Sequence, residues 1–368
     1  MIGRRQIRNF DYVMLVLILV LMVIGLLTLA SATCSNGVVL SGYVKRQAVF
    51  MVIGLAVMFG MAAINFQRLI KFSIWIYVFS ILMLIVALAV GKEIGGAQRW
   101  IRLGPLSLQP SEFFKTACII TLSAMLSGCR EQPISAKLIL RTAVHVSIPI
   151  LLVLLQPDLG TAIVIMGVWL GLLWLAGATA KHIMAIVLAS IILFAVGWHV
   201  GLVKDYQKRR LIAFINPYAD PLKSGYHIIQ AQTAIGSGGF AGKGLFNGKM
   251  SKLKFVPAGH TDFIFVTLAE ELGFVGSVFV IALYIALLNR MLILMRSTEH
   301  EIGVLLVGGV LFMLLIHIVV NIGMCLRLMP ITGIPLPLMS YGGSNLISTC
   351  MAIGICQSVA MRRSKLTF

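Results

Sequence analysis

The first apolar run of this chain, DYVMLVLILVLMVIGLLTLA, is long enough to cross a bilayer, and comparable runs recur along the chain. Bounded by charge, Pro or Gly, they lie near 11–32, 46–64, 69–90, 111–128, 139–156, 159–176, 182–200, 262–289, 302–326 and 339–361. In hydrocarbon every backbone N–H and C=O must be satisfied internally, and runs of about 20 residues do so as helices. The expected fold is all-α, a polytopic integral membrane protein of about ten transmembrane helices. Merging the poorly separated helices that flank QPDLG lowers the count to eight or nine. Only 11% of the 368 residues are charged, against roughly 25% in soluble domains, which excludes an ordinary soluble fold. The first run is too long for a cleavable signal and no convincing cleavage site follows, so it is read as a retained span.

A net charge of +18 on a soluble chain would suggest nucleic acid, but here its distribution matters more. With the N-terminus in the cytoplasm, 14 Lys and Arg fall on that side against six outward once the long loop 201–260, which largely escapes the positive-inside rule, is set aside: Arg4/Arg5/Arg8, Arg68/Lys71, Arg130/Lys137/Arg141, Lys181, Arg290/Arg296 and Arg362/Arg363/Lys365. Lys45/Arg46, Lys92/Arg99/Arg102 and Arg327 face outward, together with the basic residues of the long loop 201–260. This asymmetry predicts both termini in the cytoplasm of a bacterial inner-membrane protein, with no nucleic-acid partner. Residues 1–368 read as one transmembrane domain that contains the large extracytoplasmic loop 201–260. Both long connections, 91–110 and 201–260, face outward by parity, which argues against an ATP-driven device. The run GSGGFAGKGLFNGK at 236–249 fails the phosphate-loop spacing, because Ser237 and Lys243 stand where the first Gly is required. It reads as a flexible, turn-rich loop, or else as a lid meeting anions through Lys243, Lys249, Lys252 and Lys254. The six cysteines show no metal-ligand spacing and read as small apolar residues.

A charge at the centre of a membrane helix costs about 2.5–3.5 kcal/mol on insertion scales, so ionisable groups inside apolar runs need a reason. Glu112 and Lys115 follow the Pro of LQPSEFFK, Asp158 follows the Pro of LQPDLG, and His260 and Asp262 open AGHTDFIFVTLAEELG. Each alone fits a helix cap or an interfacial ion pair, since a carboxylate in the first turn complements the helix dipole. Jointly, and with Arg99, Trp100 and Arg102 in the neighbouring loop, they predict a polar cavity open to the outside. On a straight helix Glu270 lies about 12 Å beyond Asp262 and about 80° round, with Glu271 near the opposite face. That pair reads as interhelical pairing or a buried protonated site, and His317 as an interhelical hydrogen-bonding residue. The Pro- and Gly-rich stretch 329–348 predicts irregular backbone, buried in protein or lining the cavity, with Ser344 and Asn345 as hydrogen-bonding groups.

These stretches also carry a resemblance. GAQRWIRLGPLSLQPSEFFK, QPDLGTA, DPLKSGYHIIQAQTAIGSGG, HTDFIFVTLAEELGFVG, NIGM and GIPLPLMSYGGS are similar to motifs of the shape, elongation, division and sporulation (SEDS) polymerases, from the first span to the last. The wording GYHIIQAQTAIGSGG and KLKFVPAGHTDF is nearer the elongation type than the division type, with a sporulation member as the alternative. The one departure is VPAG before His260, where a charged residue is expected. The resemblance implies a ten-span peptidoglycan glycosyltransferase that polymerises lipid II outside the membrane. It implies as partners a class B penicillin-binding protein as transpeptidase and other elongation-complex membrane proteins. It carries the essential carboxylate onto Asp262, and further site roles onto Glu112, Lys115, Asp158, Arg99 and Trp100.

Chemically, the acceptor hydroxyl must lose a proton while a lipid diphosphate leaves, so Asp262 is the expected base. Arg99, Trp100, Arg102, Lys115, His260 and Ser344 are the expected substrate-binding groups. Glu112 and Asp158 either hold Lys115 or ligate a divalent cation, Mg²⁺ or Mn²⁺, the candidate cofactor. Two other classes compete: a flippase or ion-coupled carrier, weakened by the lack of an evident inverted repeat, and a non-catalytic scaffold in which cavity residues are dispensable.

Overall fold

The computed structural model describes residues 8–34, 41–94, 97–103, 106–128, 134–201, 204–219, 224–252, 255 and 258–363. At 92–94, 97–98, 102–103, 106, 206, 219, 224 and 251–252 it describes the backbone alone. In chain order its helices are α1 (Tyr12–Thr33), α2 (Gly42–Ala63), α3 (Phe66–Lys71), α4 (Ser73–Val90), α5 (Pro110–Leu126), α6 (Ala136–Leu155) and α7 (Leu159–Leu175). They continue with α8 (Ala180–His199), α9 (Asp205–Ile215), α10 (Ser224–Gly238), α11 (Lys249–Lys252), α12 (Ile264–Arg296), α13 (Glu301–Cys325) and α14 (Gly343–Arg362). This is a helical, multi-pass membrane protein. Among the described residues, eight helices have the length and apolarity to cross a membrane. Two more, α5 and α7, have 17 residues each, about 25 Å and so roughly a turn short of the hydrocarbon thickness. Both begin at the QP motifs, with Pro110 in the first turn of α5 and Asp158 capping α7.

α13 and α14 form the centre, whereas α8 has no buried residue. α14 lies against α2 at small residues: a Cβ at Gly354 would come within 2.6 Å of the Met58 carbonyl oxygen. The end of the bundle where α1 begins and α14 ends is laced together by polar contacts. Asp11 caps α1 and receives Arg290 Nε of α12 at 2.7 Å, while Gln357 of α14 bonds both ways with the Asp11 backbone. Arg362 donates to the carbonyls of Ala62 and Ala63, which α2 leaves unpaired at its C-terminus. The candidate site lies at the opposite end, called here the loop end.

Two features of the loop end depart from expectation. Residues 91–110 carry a three-stranded antiparallel meander, β1 (Lys92–Ile94), β2 (Ala97–Leu103) and β3 (Leu106–Leu108), with Lys92 opposite Trp100 and Arg102 opposite Ser107. Gly95-Gly96 and Gly104-Pro105 separate the strands in sequence, two-residue spacers of hairpin length.

The other departure is in α12, which is not straight. Gly273 has φ 64 and ψ −159, a conformation open to Gly but not to side-chain-bearing residues, and it breaks the helix. A broken helix strands carbonyls before the break and N–H groups after it, and here the Gly-rich run supplies the partners. Lys243 N and Gly244 N donate to the carbonyls of Glu270 and Glu271 at 3.2 and 2.9 Å, and Phe274 N donates to Gly239 O at 3.0 Å. A Cβ at Gly242 would lie 2.1 Å from the Glu271 carbonyl oxygen, so Gly is what lets the two backbones meet. Residues 238–249 are thus a strap bound to α12 rather than a free loop. Lys243 is committed to Glu270 at 2.9 Å, Lys249 is exposed, and the side chains of Lys252 and Lys254 lie outside the described residues.

The two glutamates lie just before the break, and both are buried. Glu270 accepts from Lys243 Nζ and Met250 N, and Glu271 accepts from Ser31 Oγ at the end of α1. They do serve on different faces, as paired structural groups.

Candidate active site

At the loop end a cavity of about 530 Å³ is lined from seven remote stretches of chain. Its walls include Arg46 and Phe50 of α2, Arg99 and Trp100 of β2, Glu112 of α5, Asp158 and Thr161 of α7, Asp262, His317 of α13, residues 333–335 and 341–343, and Asn345. The Pro- and Gly-rich stretch therefore does line a cavity, as irregular backbone at membrane depth requires.

Glu112 is buried in the first turn of α5 and accepts from Lys115 Nζ at 2.8 Å, Asn345 Nδ2 at 2.8 Å and Ser348 Oγ at 3.4 Å. Lys115, also buried, reaches His317 Nε2 at 2.9 Å. An ammonium has no lone pair to offer, so Nε2 accepts and the imidazole proton sits on Nδ1, 3.3 Å from the Pro335 carbonyl it bonds. Glu112, Lys115 and His317 thus form one chain joining α5, α13, α14 and the 333–335 wall.

Asp158 is equally occupied. It caps α7 through Thr161 N and Thr161 Oγ1, accepts from Gln109 Nε2 at 2.9 Å, and pairs with Arg99 Nη1 at 3.4 Å. Arg99 keeps a buried Nε that has no acceptor among the described residues.

Asp262 differs from both. It lies in the turn before α12, whose carbonyls are pinned: Asn321 Nδ2 donates to Asp262 O at 2.8 Å, and Ser340 Oγ to Thr261 O at 2.7 Å. Its carboxylate is half-buried and has no hydrogen-bond or ion-pair partner among the described residues. It faces Gly333, whose φ is +75; a Cβ there would be 3.4 Å from Asp262 Oδ2 and 4.0 Å from Arg210 Nη1. Burial pushes the Asp262 carboxyl above the ordinary range, the guanidiniums of Arg99 and Arg210 pull it down, and the Asp158 charge adds to the rise.

The remaining expected site residues are placed as follows. Trp100 is on the cavity wall. Lys115 stands behind the wall, reaching it through Glu112 and His317. Ser344 accepts from Gln109 N at 3.0 Å and donates to Ser107 O at 3.1 Å, tying α14 to the meander. His260 sits beside the rings of Tyr43 and Tyr341 rather than among the lining residues. The side chain of Arg102 lies outside the described residues. Sequence reasoning passed over Arg46, Arg210 and Gln109, the first two because they were counted only as outward charges. It named His317 as hydrogen-bonded without its link to Lys115.

The family model for the FtsW, RodA and SpoVE cell cycle proteins matches residues 11–365. The peptidoglycan glycosyltransferase MrdB of Escherichia coli K12 is 37% identical over 359 residues, covering 98% of this chain and 95% of MrdB. A chain solved in a study of structural coordination of polymerization and crosslinking by a peptidoglycan synthase complex superposes with a TM-score of 0.82 at 32% identity, covering 95% of this chain and 97% of that one. The rod shape determining protein RodA of Thermus thermophilus superposes with a TM-score of 0.72 at 30% identity, covering 97% and 98%.

Proposed function

The chain belongs to the FtsW/RodA/SpoVE (SEDS) family and is a peptidoglycan glycosyltransferase, and on that premise we propose that its cavity joins lipid II units with Asp262 as general base. One observation carries the choice: of the three cavity carboxylates, Glu112 and Asp158 are committed to Lys115 and Arg99, while the Asp262 carboxylate is free of partners among the described residues.

In the reaction the acceptor sugar hydroxyl gives its proton to Asp262 as its oxygen bonds to the donor's anomeric carbon. The bond from that carbon to the lipid diphosphate breaks, and the electron pair departs with the diphosphate. Arg99, through its unpartnered Nε, with Arg46 and Arg210 nearby, offsets the charge that develops. Glu112, Lys115 and His317 act one layer back, holding α5 and the 333–335 wall in register.

The expected divalent cation fits poorly as a resident cofactor. Glu112 and Asp158 are filled by protein donors, and no cluster of three His, Cys, Asp or Glu able to hold a metal occurs among the described residues. Any Mg²⁺ or Mn²⁺ is therefore assigned to the diphosphate substrate rather than to a protein-built site.

The likeness to a chain from a synthase complex that couples polymerization to crosslinking supports a class B penicillin-binding protein as partner, within an elongation complex. The likeness to the rod shape determining protein of Thermus thermophilus supports elongation over division or sporulation. The charge asymmetry supports a bacterial inner membrane with both termini cytoplasmic.

The deciding experiment gives the purified protein lipid II in detergent, where there is no bilayer to cross. Glycan strands on a gel are the expected result; a flippase or a scaffold yields none. The pH profile supplies a second test. A base must be ionised, so the rate falls as pH drops through the raised Asp262 value. Arg210→Gln removes a cation that holds that value down, so the acidic limb should move to higher pH. An unmoved limb would place the titrating group elsewhere.

A further inference from the structure

Three aromatic rings stand together beside Asp262. Tyr43 is 5.2 Å from His260 and 5.2 Å from Tyr341, and His260 is 6.0 Å from Tyr341, centroid to centroid. Tyr341 is on the cavity wall, and Arg46, one turn along α2 from Tyr43, is on it too. Tyr43 itself is 46% exposed, so the cluster is open on one side rather than enclosed in the core.

The cluster is fixed to the base by backbone. Tyr341 N donates to His260 O at 3.1 Å, Gln47 Nε2 donates to Ser340 O at 3.2 Å, and Thr261 N and Phe263 N both bond to Ala258 O around the turn that holds Asp262. Any molecule resting on these rings is therefore held in register with the Asp262 carboxylate.

An aromatic face is electron-rich and attracts polarised C–H bonds, while the phenol hydroxyls and imidazole nitrogens at the edges offer donors and acceptors. A pyranose has the matching pattern: a face of axial C–H groups and an edge of hydroxyls and acetamido groups. A hydrocarbon tail would leave those polar edges without use. We propose that Tyr43, His260 and Tyr341 form a stacking subsite for an N-acetylated amino-sugar ring of the acceptor strand, next to the ring whose hydroxyl Asp262 deprotonates. This rests on the glycosyltransferase reading above.

The test uses the full purified chain in detergent, with a β-1,4-linked N-acetylglucosamine tetramer as probe. Binding is read by saturation-transfer NMR, and strand length is read separately on gels with lipid II. Tyr43→Phe, which keeps the ring and loses only the hydroxyl, should bind more weakly than wild type but more tightly than Tyr43→Ala. Tyr43→Ala should bind about 3- to 10-fold more weakly, the range of one lost aromatic contact, and release shorter strands. Tetramer binding and strand length both unchanged in Tyr43→Ala would overturn the subsite, as would a rise confined to the KM for lipid II, which marks a tail contact. Because Tyr43 is half exposed, Ala there should leave the elution profile and melting temperature unchanged; His260→Ala gives a second variant with the same expectation for binding. Polymer from wild type without tetramer binding would overturn this subsite alone. Tetramer binding that depends on Tyr43, with no polymer from wild type, would overturn the acceptor role with the glycosyltransferase reading and leave a sugar-binding cluster.

Discussion

Asp262→Asn is expected to lower glycan polymerisation about 10²- to 10⁴-fold, the usual contribution of a positioned general base, with little change in folding. No described residue bonds to the carboxylate, so the amide leaves no partner stranded, and the turn is held by contacts to the Thr261 and Asp262 carbonyls that the substitution spares. Replacing a charge that burial disfavours by a neutral amide should leave the melting temperature level or slightly raised. The measurement is strand formation from lipid II in detergent beside a thermal melt. Full activity in the Asn variant would remove Asp262 from the chemistry even with the enzyme class unchanged.

Lys115→Met should have the largest effect on stability. It strands the Glu112 carboxylate, whose side chain is 5% exposed beside a lysine at 3%, and breaking one side of a buried pair costs about 3–5 kcal/mol. The same change frees His317 from its donor and loosens the 333–335 wall against which Asp262 sits, so activity should fall with stability. Lys115→Met with Glu112→Gln removes both charges and should recover much of the melting temperature, since a neutral amide retains hydrogen-bonding capacity toward Asn345 and Ser348. An unaltered melt for the single variant would mean that the pair contributes no net stability.

The apolar runs were readable because a bilayer imposes a length and a polarity on each span, and the ten long helices follow those runs closely. Capping at Asp158 and the Pro start at α5 were readable for a similar reason, being local chemistry between neighbours. Pairings across the fold were not. Nothing in the one-dimensional pattern joins Lys115 to His317, Arg99 to Asp158 or Glu271 to Ser31, because these partners are fixed by how helices pack rather than by spacing. Gly273 misled for another reason. A lone Gly in a helical pattern is usually tolerated, and only the strap at 238–249, itself resembling an ordinary flexible loop, turns that glycine into a break. The meander at 91–110 escaped because short strands in an outward loop carry little periodic signal beside 20-residue helices.

The central position of α14 has a consequence for biogenesis. Chains emerge N-terminus first, so α14, made after the other described helices, is the one that supplies Gln357 to Asp11, Asn345 and Ser348 to Glu112, and Gly354 to the face of α2. Until it arrives, the earlier spans hold an open slot, and Glu112 waits in the membrane without two of its hydrogen bonds. Insertion of α14 therefore completes the catalytic chamber, and a ribosome stalled before residue 343 leaves a bundle with only α13 at its centre and an unfinished site.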